Sequence, residues 1–369
     1  MAKVKVDKEA EDAPPKKLAV LDEILKGNKD HHYAFETVKD YCVSSGSLTF
    51  DIELGGGIHP GVFRSSGISS GGKSSLALAF ARNFQILHPE KGVVIYFKAE
   101  GRLSETMIAR SGVSTNPDQW QVIPTNDYEF VIDTMRRLVK DNPNGNFYYF
   151  ILDSLDALVP RNDLAKSATE ASKTAGGALL SADMLRKMAV AFGSKGHICD
   201  MISQVRDVIK IDKYAKVNKS ITNSSGGHAI SHYSDWVFEF QARYKDDEIM
   251  EAGAKVGDSP IGHWCKIVLR KTTNEKDGKL VRYPIKYGRT GGTSVWIEYE
   301  VADQLIAWDF AKAKGAWISM TDEIVKELSD AGLTIQKDIN GIKALRAFLE
   351  ENPEVTKFLY KKFYDALKK

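Results

Sequence analysis

The chain has 369 residues, of which 43% are hydrophobic and 27% charged, and its formal net charge at pH 7 is +2. This composition is that of a globular protein long enough for one large domain and a smaller one. The low net charge excludes a uniformly basic protein, so any nucleic-acid-binding surface must be local. Three widely spaced cysteines, Cys42, Cys199 and Cys265, argue against a disulfide framework. The sequence contains no run of about 18 apolar residues, so no membrane span is predicted. We therefore expect a cytoplasmic protein with no membrane partner.

The residues before the main domain fall into two parts. Residues 1–16 have mixed charge and no apolar core, and they are predicted to form a disordered leader. Residues 17–26 are predicted to form an amphipathic helix, and a short strand is predicted within residues 31–38. The apolar face of the helix consists of Leu18, Leu21, Ile24 and Leu25. Because a helix this short is marginally stable in water, we expect it to pack on another surface.

A glycine-rich stretch follows at residues 67–75, which read GISSGGKSS and fit the phosphate-loop pattern G-x-x-x-x-G-K-[ST]. In such a loop the backbone N–H groups cradle phosphate oxygens, the lysine reaches the outer phosphates and the serine hydroxyl can bind Mg²⁺. The predicted nucleotide-binding residues are Gly67, Ser70, Gly71, Gly72, Lys73, Ser74 and Ser75, with Ser74 also a Mg²⁺ ligand. A helix is predicted over residues 74–84, and its N-terminal dipole favours an anion.

The phosphate-loop assignment has an alternative, since a flexible Ser/Gly surface loop has a similar composition. The preceding residues Arg64, Ser65 and Ser66 are also polar, where a strand leading into a phosphate loop is normally apolar. A second nucleotide signal lies in FYYFILD, an apolar run that ends in Asp153. A carboxylate at the end of a parallel strand lies beside the phosphate loop and can hold Mg²⁺. Together the two motifs favour a P-loop NTPase that binds ATP and Mg²⁺.

Apolar runs of strand length alternate with helical stretches from residue 93 onward. The predicted strands are residues 93–97, 147–152, 198–203, 236–240, 264–270 and 279–287, with helices between the first three. This alternation predicts an α/β fold with a mostly parallel twisted sheet, extended by late antiparallel strands. Asp200 is unexpected in a buried strand, and the sequence gives no reason for it.

The last part of the chain is predicted to be mainly helical. Pro353 separates two amphipathic helices there. We therefore predict a core domain of residues 44–300 and a small helical C-terminal domain of residues 301–369.

Several further segments occur along the chain in a fixed order. They are VSSGSLTFDIELGGGIHPG, FKAEGRLSETMIARSGV, LDSLDALVPR, ISQVR, NSSGGHAISHYSD, GAW and ENPE. This order resembles that of the bacterial RecA recombinases and their phage relatives, over roughly residues 17–369 of the chain. The resemblance implies a RecA-like ATPase core. It also implies that residues 17–43 form an oligomerisation segment that packs on the next protomer.

The resemblance assigns catalytic roles to particular residues. Glu100, just past the strand over residues 93–97, would activate the attacking water, and Lys73 would contact the outer phosphates. Gln204 would sense the γ-phosphate and report its loss to the loop that follows. The family also has a K-x-K pair that reaches the ATP of the neighbouring subunit. Here the corresponding region, LRKTTNEK, offers Lys271 with Thr273 at the second place, and Arg270 or Lys276 as substitutes. In addition, Lys98 stands where the family has an aspartate.

Two segments are predicted to bind DNA. In residues 161–177 the candidates are Arg161, Lys166, Lys173, Gly176 and Gly177. In residues 206–227 they are Arg206, Ile209, Lys210, Lys213, Lys216, Lys219, Gly226 and Gly227. Lysines contact phosphates without reading sequence, and apolar side chains can insert between bases. By resemblance, Ile209 lies where the family inserts an aliphatic side chain between base triplets. A solvated surface helix is the alternative for residues 206–227.

The sequence therefore predicts an ATP-dependent recombination protein. It would form a helical filament on single-stranded DNA as a homo-oligomer, and would exchange that strand with a homologous duplex. Two alternatives stay open. One is a hexameric ring helicase built on the same core, and the other is a recombination mediator or DNA-binding scaffold that does not hydrolyse ATP.

Overall fold

The computed structural model describes residues 40–101, 103–165, 176–204, 230, 232–251 and 253–367, and the backbone alone for residues 176–183. The chain divides into two compact units, Met1–Val38 and Lys39–Lys369. The predicted leader, the helix over residues 17–26 and the strand within residues 31–38 lie outside the described residues. The helices and strands of the described residues all belong to the second unit.

Among the described residues, nine strands form one mixed sheet. They are β1 (Gly61–Gly67), β2 (Gly92–Lys98), β3 (Trp120–Pro124), β4 (Phe147–Asp153), β5 (Ile198–Gln204), β6 (Trp236–Phe240), β7 (Glu248–Ile249), β8 (Gly262–Lys271) and β9 (Leu280–Lys286). Their order is β3-β2-β4-β5-β1-β6-β8-β7, with β9 paired to β8. The neighbours from β3 to β6 are parallel, whereas β7, β8 and β9 pair in antiparallel fashion. The predicted α/β fold with a mostly parallel sheet is confirmed.

Three strands of this sheet, β1, β3 and β7, were not among the predicted strands. The run over β1 was not recognised as a strand because Arg64, Ser65 and Ser66 are polar. In β3, which reads WQVIP, only Trp120 is buried, because this strand lies at the edge of the sheet. Its sequence therefore lacks the apolar run by which the central strands were identified. Strand β7 has only two residues, too few to give any pattern.

The helices up to residue 195 lie before β1 or between the first five strands along the chain. They are α1 (Leu48–Leu54), α2 (Lys73–Leu87), α3 (Glu105–Ser111), α4 (Tyr128–Lys140), α5 (Arg161–Leu164) and α6 (Gly176–Lys195). Helix α2 directs Phe80 and Phe84 at the sheet, where their rings lie 5.9 Å from Phe63 and 5.6 Å from Tyr149 respectively. No helix in the described part of the chain is long and apolar enough to cross a membrane.

The polar residues of β1 are buried within the sheet. Every residue of this strand is buried, including Arg64, which is 2% exposed. Its guanidinium Nε donates to Ser203 Oγ on the neighbouring β5 at 3.0 Å. On β5, Asp200 is fully buried, and burial raises the pKa of its carboxyl well above the usual range, opposed by the hydroxyl of Ser65. Neither carboxyl oxygen of Asp200 has a hydrogen-bond partner among the described residues, and the structure gives no reason for an aspartate at this position.

The residues from 297 onward combine helices with a second sheet. The helices are α7 (Ile297–Ala307), α8 (Asp322–Asp330), α9 (Gly341–Glu351) and α10 (Pro353–Ala366), and the strands are β10 (Ala311–Lys314), β11 (Trp317–Met320) and β12 (Asp338–Ile339). The prediction of a mainly helical region missed this three-stranded antiparallel sheet. Pro353 is the first residue of α10, where its missing N–H costs no helical hydrogen bond.

A hydrophobic cluster lies between these elements. It includes Val301, Leu305, Ile324, Leu345, Leu359 and Phe363, together with Leu48 of α1. This cluster supports the proposal that residues 301–369 form a C-terminal domain.

Two buried carboxyl groups lie at the junction of α1 and α7: Glu300 joins the two helices, and Asp51 ties α1 to the residues just before it. Glu300 accepts hydrogen bonds from Ser47 Oγ at 2.5 Å, Leu48 N at 3.0 Å and Thr49 N at 3.2 Å. These donors belong to the first turn of α1, whose N–H groups have no partner inside the helix. Asp51 accepts from Ser45 N at 2.8 Å and from the Ser44 hydroxyl. Burial raises the pKa of both carboxyl groups to about 7.

Candidate nucleotide site

The carboxyl ends of four parallel strands, β1, β2, β4 and β5, meet at one edge of the sheet. Pairing of β1 with β5 places Gly67 opposite Gln204. Pairing of β2 with β4 places Lys98 opposite Asp153. Glu100 follows β2 directly, and its N–H donates to the Asp153 carbonyl at 3.0 Å. In open α/β sheets, ligands bind in the crevice at such carboxyl ends.

A cleft of about 400 Å³ lies at this edge. It is lined by Ser69, Ser70, Gly71, Gly72, Lys73, Ser74, Ser75, Tyr96, Glu100, Gly101, Leu103, Met107, Arg110, Asp153, Ser154, Ile202 and Gln204. The structure thus brings together the predicted phosphate loop, the acidic end of β4, Glu100 and Gln204. Gly67 lies at the end of β1, where the loop begins.

The loop backbone requires glycine at Gly67 and Gly72. Gly67 has φ 142°, and a Cβ added there would lie 2.5 Å from the carbonyl oxygen of Phe240. Gly72 has φ 106° and is the N-cap of α2, which begins at Lys73. Both angles are in the left-handed region that residues with a side chain rarely adopt. The loop therefore leads directly into the N-terminus of a 15-residue helix.

Lys73 is folded over the phosphate loop. Its ammonium donates to the carbonyl oxygens of Gly67 at 2.9 Å and Ile68 at 2.7 Å, and the residue is 7% exposed. Burial lowers the pKa of this amine, whereas the negative charges of Asp153, Asp156 and Glu100 act in the opposite direction. The ammonium is therefore held at the loop by neutral carbonyl oxygens and stabilised by nearby carboxylates.

Ser74 and Asp153 form the pair expected for Mg²⁺. Ser74 Oγ donates to Asp153 Oδ2 at 2.7 Å, and the Tyr96 hydroxyl donates to the same oxygen. The described residues contain no group of three or more His, Cys, Asp or Glu side chains able to hold a metal. A hydroxyl and one carboxylate suit Mg²⁺ that takes its remaining ligands from nucleotide phosphates and water.

Glu100 is held by two polar side chains. The Ser154 hydroxyl donates to Glu100 Oε2, and Gln204 Nε2 donates to Glu100 Oε1 at 2.6 Å. Glu100 is nevertheless exposed to the cleft. The arrangement leaves a carboxylate that faces solvent in the cleft, with the Gln204 amide beside it.

The predicted site residues left out several polar residues of this edge, although Ser154 was noted beside Asp153 in the sequence. Tyr96 and Ser154 line the cleft, and Asp156 accepts a hydrogen bond from the backbone N–H of Gln204 at 2.5 Å. Ser154 and Asp156 follow Asp153 in the sequence DSLD, which is the one signal that pointed to them. In the sequence, Tyr96 looks like another apolar residue of β2. Its contact with Asp153 results from the pairing of β2 with β4, which the sequence does not specify.

The cations predicted to reach a neighbouring ATP lie away from the cleft. Arg270 forms two hydrogen bonds with the Glu239 carboxylate, at 2.7 and 3.0 Å. Lys271 donates to the carbonyl oxygen of His232 at 2.7 Å. The substitute Lys276 lies 3.1 Å from Glu53 Oε2. Their role toward a second subunit remains a prediction.

Few of the predicted DNA-binding residues are described. Arg161 begins α5, and its Nε donates to Asp127 Oδ2 at 2.9 Å. Gly176 and Gly177 are the first two residues of α6. The other candidates lie outside the described residues: Lys166, Lys173, Arg206, Ile209, Lys210, Lys213, Lys216, Lys219, Gly226 and Gly227.

The glycine-rich loop at a helix N-terminus and the acidic end of β4, at one edge of a mostly parallel sheet, define a P-loop nucleotide-binding protein. The family model described as RecA N-terminal domain matches residues 26–288, so the chain belongs to the RecA family.

Curated relatives match over most of their length at modest identity. Protein RecA of Rippkaea orientalis is 26% identical over 314 residues, which cover 85% of this chain and 79% of the relative. Protein RecA of Mycobacterium marinum is 26% identical over 327 residues, covering 88% and 83%. Protein RecA of Fusobacterium nucleatum is 26% identical over 330 residues, covering 89% and 77%. The protein accordingly has a recombinase role, and neither the ring helicase nor the non-hydrolysing scaffold is favoured.

Proposed function

We propose that this recombinase is a DNA-dependent ATPase in which bound ATP favours a filament on single-stranded DNA and hydrolysis releases it. The observation that carries the proposal is the hydrogen bond from Gln204 Nε2 to Glu100 Oε1. This bond joins Glu100, the proposed general base, to Gln204, the last residue of β5. The predicted DNA-binding segment 206–227 follows β5 in the chain. The side-chain amide of Gln204 can therefore respond to the nucleotide, and the main chain of Gln204 can pass that response to the segment that follows.

Binding of the triphosphate would use the phosphate loop. Its backbone N–H groups and the N-terminus of α2 attract the phosphates, and the Lys73 ammonium would exchange its two carbonyl acceptors for phosphate oxygens. Ser74 and Asp153 would hold Mg²⁺. The ion would neutralise charge on the phosphate oxygens.

Hydrolysis would depend on Glu100 as the general base. Its carboxylate faces the cleft and is oriented by Ser154 and Gln204. When ATP occupies the cleft, the Gln204 amide would turn from Glu100 to the γ-phosphate and free the carboxylate to accept a proton from water. Loss of the γ-phosphate would restore the contact between Gln204 and Glu100. The switch thus consists of one amide with two alternative partners.

The partners of this cycle are proposals that follow from the family. They are single-stranded DNA, a homologous duplex and further copies of the chain. Residues 17–43 would pack on the next protomer, and Lys271 would reach the ATP of that neighbour. We place the protein in the cytoplasm, which the wide spacing of its three cysteines in the sequence supports.

Fluorescence anisotropy with a labelled oligonucleotide tests the proposal. We expect single-stranded DNA to bind strongly only with ATP or a non-hydrolysable analogue, with little sequence preference. Replacing Lys210, Lys213, Lys216 and Lys219 together with Ala should flatten the log-log salt slope by up to about 3 units, at roughly 0.7 per phosphate contact. Lys312, Lys314, Lys326 and Lys343 provide a matched quadruple control on the C-terminal part of the chain. An unchanged slope in the first variant would place the DNA elsewhere.

A further inference from the structure

Gln204 is held at two points, and only one of them belongs to the site described above. Its side chain contacts Glu100, and its backbone N–H donates to Asp156 Oδ2 at 2.5 Å. Asp156 does not line the nucleotide cleft. Its carboxylate instead accepts a hydrogen bond from the main chain of Gln204, which does line the cleft.

The fold fixes Asp156 at this place. It lies in the 3₁₀ turn Leu155–Ala157 that follows β4. Because β4 and β5 are parallel neighbours, the chain leaving β4 passes beside the end of β5. Leu155 and Leu158 are 6% and 8% exposed, so both ends of the turn are anchored in the core. The carboxylate of Asp156 is thus carried by a rigid turn and not by a free loop.

Two buried cations, Arg64 and Lys73, lie near Asp156, at 2% and 7% exposure. Burial lowers the pKa of both cations, and the charge of Asp156 is among those that oppose this effect. Asp156 Oδ1 is buried and has no hydrogen-bond partner among the described residues, whereas Asp156 Oδ2 accepts the hydrogen bond from the Gln204 N–H.

We propose that Asp156 is a positioning residue of the ATPase, which fixes the main chain of Gln204 so that its side-chain amide reaches Glu100 and the γ-phosphate. The inference rests on the proposed function, because the direction of the Gln204 amide matters only if that amide senses the nucleotide. A purely structural Asp156 would change stability alone. A positioning Asp156 must change turnover and the coupling of ATP to DNA binding.

Three variants of the full chain separate these roles. Asp156→Leu removes the acceptor at similar volume, and Asp156→Asn keeps an oxygen acceptor without the charge. Asp246→Leu is the matched control at an exposed aspartate. The measurements are kcat and KM for DNA-stimulated ATP hydrolysis, and the gain in single-stranded DNA affinity on adding a non-hydrolysable ATP analogue.

For Asp156→Leu we expect kcat and the gain in DNA affinity each to fall about tenfold, with KM for ATP within about twofold of the parent chain. Asp156→Asn should recover both to within about threefold. Parent-like kcat and gain in Asp156→Leu would overturn the proposal, as would an Asn variant as impaired as the Leu variant. If the unsubstituted chain itself showed no gain in DNA affinity with the analogue, the proposed function would fall together with this inference. A parent chain with that gain and an unaffected Leu variant would remove the role of Asp156 alone.

Discussion

The nucleotide edge of the sheet and the junction between α1 and α7 both concentrate charged side chains, but their partners differ in kind. At the junction, Asp51 and Glu300 are buried, and backbone N–H groups and serine hydroxyls of one short segment serve as their donors. At the nucleotide edge, Glu100 and Asp153 face a cleft of about 400 Å³, and the partners of their carboxylates are side-chain groups of other elements.

This difference indicates which polar clusters can bind a ligand. Donors fixed by the backbone of α1 cannot leave Glu300 without unfolding the start of that helix, so the junction stabilises the fold. The Gln204 amide, the Ser74 hydroxyl and the Lys73 ammonium can each rotate to another acceptor without moving a strand. Phosphate oxygens are such acceptors, so polar groups at this edge can exchange their protein partners for a ligand.

The largest effect is expected at the edge. Glu100→Gln should lower ATP turnover by about 10²–10⁴-fold, because an amide cannot accept the proton from water, and should leave nucleotide affinity near that of the parent chain. Lys73→Ala should instead abolish measurable nucleotide binding. Equilibrium nucleotide affinity and single-turnover hydrolysis, measured separately, distinguish the two, and Glu105→Gln at an exposed site is the control. Near-normal hydrolysis in Glu100→Gln would remove that residue from its catalytic role.

A smaller effect of a different kind is expected at the junction. Glu300→Ala would leave the Ser47 hydroxyl and two N–H groups of α1 without their acceptor, and should lower the free energy of unfolding by about 3 kcal/mol. The kcat per folded molecule should not change. Denaturant unfolding and ATPase assays check this, with Glu323→Ala at an exposed position as the control. A loss of kcat with unaltered stability would contradict the distinction between the two regions.

The junction should also make stability depend on pH. Burial raises the pKa of Asp51 to about 7 in the folded chain from 3.8, so the folded state binds more protons than the unfolded state between these values. This contribution to stability is therefore complete at low pH and is lost as pH rises through about 7. Between pH 5 and pH 8 it amounts to about 3 kcal/mol in the free energy of unfolding. In Asp51→Asn, the free energy of unfolding should fall by less between pH 5 and pH 8, and the difference from the parent chain should equal this amount. Equal falls in the two chains would refute a raised pKa of Asp51.

Much of the fold could be predicted from the sequence, because most of its central strands are buried on both faces and read as apolar runs. Strand β1 is central but was not recognised as a strand, because Arg64, Ser65 and Ser66 are polar. Strand β3 and the sheet of β10, β11 and β12 could not be predicted, since they lie at edges or have few residues. The phosphate loop was recognisable because its glycines and lysine are neighbours in sequence. The contacts of Tyr96 with Asp153 and of Asp156 with Gln204 depend on which strands pair, and no local pattern specifies that.

The central claim is that the Gln204 amide transmits the state of the nucleotide to DNA binding, and the most direct test is DNA affinity with and without a non-hydrolysable ATP analogue. In the parent chain, and in Gln121→Ala at an exposed site, the analogue should raise affinity for a labelled single strand. In Gln204→Ala, affinity should be equally low in both conditions while the nucleotide still binds. A Gln204→Ala chain that gained affinity with the analogue as the parent chain does would contradict the account.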